Sequence, residues 1–233
     1  MFKQLFDPES STYTYLIVDD ATKEALFIDP VARHINQYIQ LISELDCQLK
    51  YSLETHVHAD HITASGMLKE KYELDTGASA QCGVYNANVQ LKEGDILQLG
   101  EQQIKVLATP GHTAGSISYL WNDRIFTGDS LLINGCGRTD FQDGDAGNLY
   151  DSITTKIFAL SDETLVYPAH DYKGLQVSCV AQERNINPRL AKKSREEFIR
   201  LMEALDLPKP ELIDIAVPAN RAEGLVVANI QQG

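Results

Sequence analysis

Along the chain, short apolar runs of strand character give way to apolar positions at helical spacing, and this change recurs. Residues Thr12–Val18, rich in β-branched and aromatic side chains, read as a strand, and Glu24–Ile28 as its hairpin partner across the turn residues Asp19-Asp20. Ile35, Tyr38, Ile39, Ile42 and Leu45 then fall on one helical stripe. Residues 49–54 form a short strand, and Ile62, Met67, Leu68 and Tyr72 predict a second helix. Two alternating stretches around Gly100-Glu101 make residues 95–108 a hairpin, and residues 116–121 and 124–127 make another around Asn122-Asp123. Leu149, Ile153, Ile157 and Leu160 mark a helix, residues 164–167 a strand, and Phe198, Leu201, Met202 and Leu205 a last helix. The remainder reads as a proline-punctuated tail, Leu207-Pro-Lys-Pro210 and Val217-Pro-Ala-Asn220. Strands, hairpins and helices interleaved in this way predict a mixed α/β fold rather than an all-parallel sheet.

Length and composition narrow this picture. A chain of 233 residues is long enough for one large domain with a sizeable core, so one domain over 1–233 is expected. The formal charge of −13 argues against a basic surface for nucleic acid or an anionic membrane. An anionic substrate would need locally placed arginines to overcome that field. Four widely spaced cysteines without a Cys-x-x-Cys pair, and no secretory signal, predict a reduced, cytoplasmic, soluble protein. A mitochondrial-matrix location stays open if a transit peptide has been removed.

Chemistry concentrates where predicted strands end. Thr55-His56-Val57-His58-Ala59-Asp60-His61 holds three of the six histidines and an aspartate. Three later strand ends present His112, Asp129 and the pair His170-Asp171. Imidazole and carboxylate are ordinary ligands of zinc and iron, so the four loops together read as a metal cradle. His34 is assigned no chemistry, and Cys136 is read as a small buried residue. Glycines 66, 111, 115 and 128 are expected to serve backbone geometry beside the ligands.

The run His56-x-His58-x-Asp60-His61, followed by His112, Asp129 and His170, resembles the metallo-β-lactamase superfamily. That resemblance implies an αβ/βα sandwich of two mixed sheets flanked by helices, with metal at one edge. The reaction stays open at this level. In a hydrolytic reading, His56, His58 and His112 take one zinc, Asp60, His61 and His170 the other, and Asp129 bridges them. In an oxygenase reading, His56, His112 and Asp129 hold one Fe(II) on a single face.

Residues outside the ligands separate the two. Gly135-Cys-Gly-Arg-Thr-Asp-Phe-Gln142, Tyr167-Pro-Ala-His-Asp-Tyr172, Asn187-Pro-Arg-Leu190 and the two proline motifs of the tail resemble the persulfide dioxygenases. Glyoxalase II proteins, the dinuclear zinc alternative that hydrolyses glutathione thioesters, typically carry aromatic residues where this chain has Thr139-Asp140, and a larger helical C-terminal domain. The resemblance implies oxidation of glutathione persulfide with O2 and water to sulfite and glutathione, with one Fe(II) per chain. It implies ligands His56, His112 and Asp129, with His58, Asp60, His61 and His170 in the surrounding shell. Arg138, Tyr172 and Arg189 would bind the glutathione moiety. The whole chain is then expected to be one metallo-β-lactamase-like domain with a short C-terminal extension. Its expected partners are glutathione persulfide and O2, with neither nucleic acid nor membrane; a homodimer is left open.

Overall fold

The computed structural model describes residues 1–225; the end of the expected C-terminal extension, 226–233, lies outside the described residues. The chain forms two compact units. One contains Met1–Leu91, Leu97–Gln103 and the described residues from Lys209, and the other contains Lys92–Ile96 and Ile104–Pro208.

The first unit is built on a mixed six-stranded sheet, β1 to β6 in sequence order. Strands β1 (Phe2–Asp7), β2 (Thr12–Val18) and β3 (Glu24–Ile28) form an antiparallel meander, with Tyr15 opposite Ile28 and Val18 opposite Ala25. Every residue of β2 is buried, so its β-branched and aromatic side chains pack on both faces. Helix α1 (Ile35–Glu44) leads from β3 to β4 (Gln48–Leu53), and α2 (Ser65–Lys71) leads from β4 to β5 (Asp75–Ser79). Strands β3, β4, β5 and β6 (Val89–Leu91) pair in parallel. The helical stripe predicted from Ile35 buries Tyr38 and Ile42 against Leu16, Val18, Phe27, Leu49 and Leu68. Full burial of such side chains stabilises by roughly 1.5–3 kcal/mol each.

The parallel β3–β4 pair positions the histidine run. Ile28 lies opposite Leu53, so the chain leaves both strands at neighbouring points, and Asp29 N–H donates to Leu53 C=O at 2.9 Å. Asp29 is thereby carried beside Glu54, Thr55 and His56.

In the second sheet the strands run β12-β11-β10-β9-β8-β7, from β7 (Ile96–Leu99) and β8 (Gln102–Ala108) at one side to β12 (Ser178–Cys179) at the other. Strands β9 (Ile117–Trp121) and β10 (Arg124–Gly128) form the hairpin expected around Asn122-Asp123. Strand β10 pairs in parallel with β11 (Leu165–Pro168), with Phe126 opposite Tyr167 and Gly128 opposite Pro168. Adjacent parallel strand ends therefore deliver Asp129 and His170 to the same place. Helices α3 (Ala146–Ser152), α4 (Val180–Ile186) and α5 (Arg195–Glu203) pack Leu149, Val180, Phe198 and Met202 against Leu107, Ile125 and Val166.

The structure corrects the sequence reading at two elements. The helix expected from Leu149 to Leu160 is α3 followed by a π-helical stretch, Ile153–Ile157. Leu149, Ile153 and Ile157 stay fully buried along it, which is the stripe the sequence displayed. The tail is not merely irregular: Ile213–Arg221 is helix α6, with Pro218 inside it. A proline there removes one backbone bond, at a cost of about 3 kcal/mol in an unsupported helix. Burial of Ile213, Ala216, Ala219 and Asn220 along one face offsets that cost.

Candidate metal centre

In the first unit, the loop after β4 gathers His56, His58, Asp60 and His61. His56 Nδ1 lies 2.9 Å from Thr55 Oγ1, and that hydroxyl donates to Asp29 Oδ2 at 2.8 Å. Since the hydroxyl proton is committed to Asp29, His56 Nδ1–H is the donor in the first bond, which leaves Nε2 as the basic nitrogen. Asp29 also accepts Thr55 N–H at 2.7 Å, so the aspartate holds both the backbone and the hydroxyl that orient His56.

His58 is fully buried and faces a different set of partners. Its Nε2 lies 3.1 Å from Asp29 Oδ1 and 3.5 Å from Glu54 Oε2. Burial alone would lower its pKa, but attraction and hydrogen bonding to Asp29, supported by Glu54, push it up to about 10. On the other side of the loop, His61 Nδ1 lies 3.0 Å from Asp60 Oδ2, and Thr12 Oγ1 donates to the same oxygen at 3.2 Å. Donor atoms of His58, Asp60 and His61 lie within 4.8 Å of one another, as do those of Asp29, Glu54 and His58. His58 therefore stands between a set with ligand geometry and a pair of carboxylates.

In the second unit, His112 sits in the loop between β8 and β9, and its Nδ1–H donates to Arg138 C=O at 2.7 Å. That bond fixes the tautomer and turns Nε2 toward Asp129 Oδ2, 3.6 Å away. The other carboxylate oxygen of Asp129 accepts from His170 Nδ1 at 2.7 Å. Gly137 packs directly against both residues: a Cβ there would stand 2.5 Å from Asp129 C=O and 2.7 Å from His112 Nδ1. Gly128, the last residue of β10, has φ +54, a left-handed conformation that lets the strand turn into Asp129. His112 and Asp129 are 12% and 14% exposed at their side chains, so the donors are reachable from solvent while their supports are buried.

The residues expected to bind substrate lie in the second unit and differ in how committed they are. Arg138 forms a two-point pair with Asp140 at 2.6 and 2.7 Å and donates to the carbonyls of Leu207 and Pro208. Arg189 donates through Nη1 to Cys136 C=O at 2.6 Å. Tyr172 is 72% exposed, with its ring stacked parallel to that of His170 at 6.1 Å. Cys136 is buried, and burial pushes its thiol up to about 11 despite the nearby Arg189. Asp171, which shared a strand end with His170, accepts the N–H groups of Lys173 and Leu175 and so shapes its own loop.

Sequence reasoning missed Asp29, Glu54, Thr55 and Asn220. Asp29 follows β3 just as Asp129 follows β10, so the strand-end rule that found the histidines also pointed to it. Asn220 closes the Val217-Pro-Ala-Asn220 motif, but nothing in that motif showed that its side chain reaches the loop from more than 150 residues away in sequence.

Residues 84–170 match the metallo-β-lactamase superfamily model, which agrees with two mixed sheets whose strand ends carry histidine and aspartate. Over 227 residues the chain is 48% identical to "Persulfide dioxygenase ETHE1, mitochondrial" of Mus musculus, covering 97% of this chain and 89% of the relative. It is similar to the crystal structure of ETHE1 from Myxococcus xanthus at 58% identity and a TM-score of 0.95, covering 96% of this chain and 99% of that one. A more distant relative, "Hydroxyacylglutathione hydrolase GloC" of Haemophilus influenzae, is 35% identical over 202 residues, covering 77% of this chain and 92% of the relative. The fold is that of the metallo-β-lactamase superfamily. Within that superfamily, the chain belongs to the persulfide dioxygenase family.

Proposed function

We propose that this protein oxidises glutathione persulfide with O2 and water to glutathione and sulfite. The reaction balances as GSSH + O2 + H2O giving GSH, sulfite and two protons. We further propose that residues 1–233 work as one metallo-β-lactamase-like domain and that His56, His112 and Asp129 hold one Fe(II). The observation that carries the metal assignment is Asp129: one oxygen is held by His170, while the other faces the Nε2 of a histidine whose tautomer is already fixed. Neutral imidazole and a carboxylate are the donor types of a two-histidine, one-carboxylate iron site. When bound, the ion would supply redox chemistry and open positions for O2 and the persulfide.

The chain's own residues prepare that chemistry. Asp29 and Thr55 orient His56, Arg138 C=O orients His112, and His170 orients Asp129; each bond removes a rotation that would otherwise have to be frozen on metal binding. The Nε2 of His58 faces Asp29 at 3.1 Å and Glu54 at 3.5 Å, contacts that compete with a metal for that nitrogen and favour one metal over two. His61 and Asp60 hydrogen-bond each other and complete the surrounding shell.

Arg189, Tyr172 and Arg138 are proposed to meet the glutathione moiety. Tyr172 offers an exposed ring, and Arg189 a half-buried guanidinium. Arg138 would engage a substrate carboxylate by exchanging it for Asp140. Two local guanidinium groups answer the repulsion that a net charge of −13 presents to an anionic tripeptide. The four cysteines are unpaired, which suits the cytoplasm or the mitochondrial matrix, and no helix among the described residues is long and apolar enough to cross a membrane. Steady-state O2 uptake with glutathione persulfide, with sulfite as the product assayed, tests this reading. A thioester hydrolase with two zincs would consume no O2.

A further inference from the structure

The irregular loop from His56 to Thr63 is buried over most of its length, so its backbone polar groups need partners within the protein. One side chain supplies three of them. Asn220, on the buried face of α6 and 4% exposed, accepts Thr63 N–H at 2.9 Å through Oδ1. Its Nδ2 donates to His58 C=O at 2.9 Å and to His61 C=O at 2.8 Å. Both N–H donors and one acceptor lone pair of the amide are thus spent on a single loop. The surrounding contacts make this docking specific: Gly66 N–H donates to Glu223 C=O at 2.9 Å, and Val217 packs against the cluster containing Val57.

We propose that Asn220 is a positioning residue for the metal centre, setting the path of the loop that presents His56. The inference rests on the reading above that His56 is a ligand. Fixing the carbonyls of residues 58 and 61 and the N–H of residue 63 leaves the loop little freedom to twist about its start in β4. The direction of His56 is therefore set from two ends, by Thr55 and Asp29 before it and by Asn220 after it. The geometry demands an amide of this length. Aspartate would keep the acceptor but turn a second oxygen onto two carbonyls, glutamine is one methylene too long, and alanine abandons all three groups.

The test uses the full chain with Co(II) as an optical probe, added anaerobically and competed with a chelator. Wild type is compared with Asn220→Asp, Asn220→Ala and Asn220→Ser, and with Ile42→Val, a core change under α1 that lowers stability without touching the loop. The Asn220 variants are expected to fold by far-UV circular dichroism, to bind Co(II) about 10–100-fold more weakly, and to show shifted d–d bands. For glutathione persulfide, kcat per bound iron should fall while KM stays within about twofold, because the proposed substrate contacts come from other residues. Ile42→Val should keep the wild-type Co(II) affinity and spectrum. Wild-type Co(II) affinity and bands in a folded Asn220→Asp or Asn220→Ala protein would overturn the proposal. Should those two fail to fold, Asn220→Ser, which retains one donor, decides by the same criteria. If wild type consumes no O2 with the persulfide, the proposed function fails, yet the Co(II) comparison still decides the role of Asn220.

Discussion

His58 Nε2 lies 3.1 Å from Asp29 Oδ1, and both side chains are almost wholly removed from solvent. With Glu54 on the same nitrogen at 3.5 Å, the buried imidazole faces two acidic side chains that favour its protonated form. Removing it by His58→Gln leaves those carboxylates facing each other without a countercharge. The metal-free protein should lose about 3–5 kcal/mol, measured by urea unfolding near pH 7.

The same pair predicts a pH dependence with a definite sign. The folded pKa of His58 is raised from 6.5 to about 10, so its contribution is complete below about 6.5 and is lost as the pH rises through about 10. The stability gap between metal-free wild type and His58→Gln should be widest at pH 6 and shrink toward pH 10. A gap that grows with pH would show that His58 is neutral in the folded protein.

Gly137 gives a steric test of the His112–Asp129 pair. In Gly137→Ala the new methyl must displace His112 or the Asp129 backbone, since it would lie 2.7 and 2.5 Å from them. Overpacking of this kind costs roughly 1–3 kcal/mol. We expect a folded protein whose metal content per chain, measured by elemental analysis, is well below that of wild type.

Arg138→Ala should raise the apparent KM for glutathione persulfide more than it lowers iron content. The backbone carbonyl that orients His112 survives the substitution, whereas the guanidinium does not. Loss of one charged hydrogen bond corresponds to about tenfold or more in KM. Steady-state kinetics with unchanged KM would remove Arg138 from the substrate site and leave it as the brace between Asp140 and the carbonyls of Leu207 and Pro208.

Cys136 should resist alkylation in the native protein at pH 7.5, because its buried thiol is pushed up to about 11. Mass spectrometry after iodoacetamide treatment should find it modified only once the protein is unfolded.

The strands and helices that the sequence displayed were those with a clear local signal, such as α1 with its stripe of Tyr38 and Ile42, or the β9–β10 hairpin with its Asn122-Asp123 turn. The elements it hid were governed by tertiary contacts. Helix α6 contains a proline and is held by burial, α4 is a short run of seven residues, and β12 contains only two. At the candidate site, the histidines and aspartates were legible because such residues at strand ends are chemically conspicuous. Their supports were not: Asp29 depends on the parallel register of β3 and β4, and Asn220 on the docking of a segment far along the chain. Arg138 was read as a substrate contact from motif alone, and only the structure revealed its pairing with Asp140.

The most direct test of the central claim is to purify the protein anaerobically, measure iron and zinc per chain, and follow O2 uptake with glutathione persulfide. One iron per chain and one O2 consumed per sulfite formed is the expected result. Two zincs per chain, with glutathione thioester hydrolysis and no O2 uptake, would contradict it.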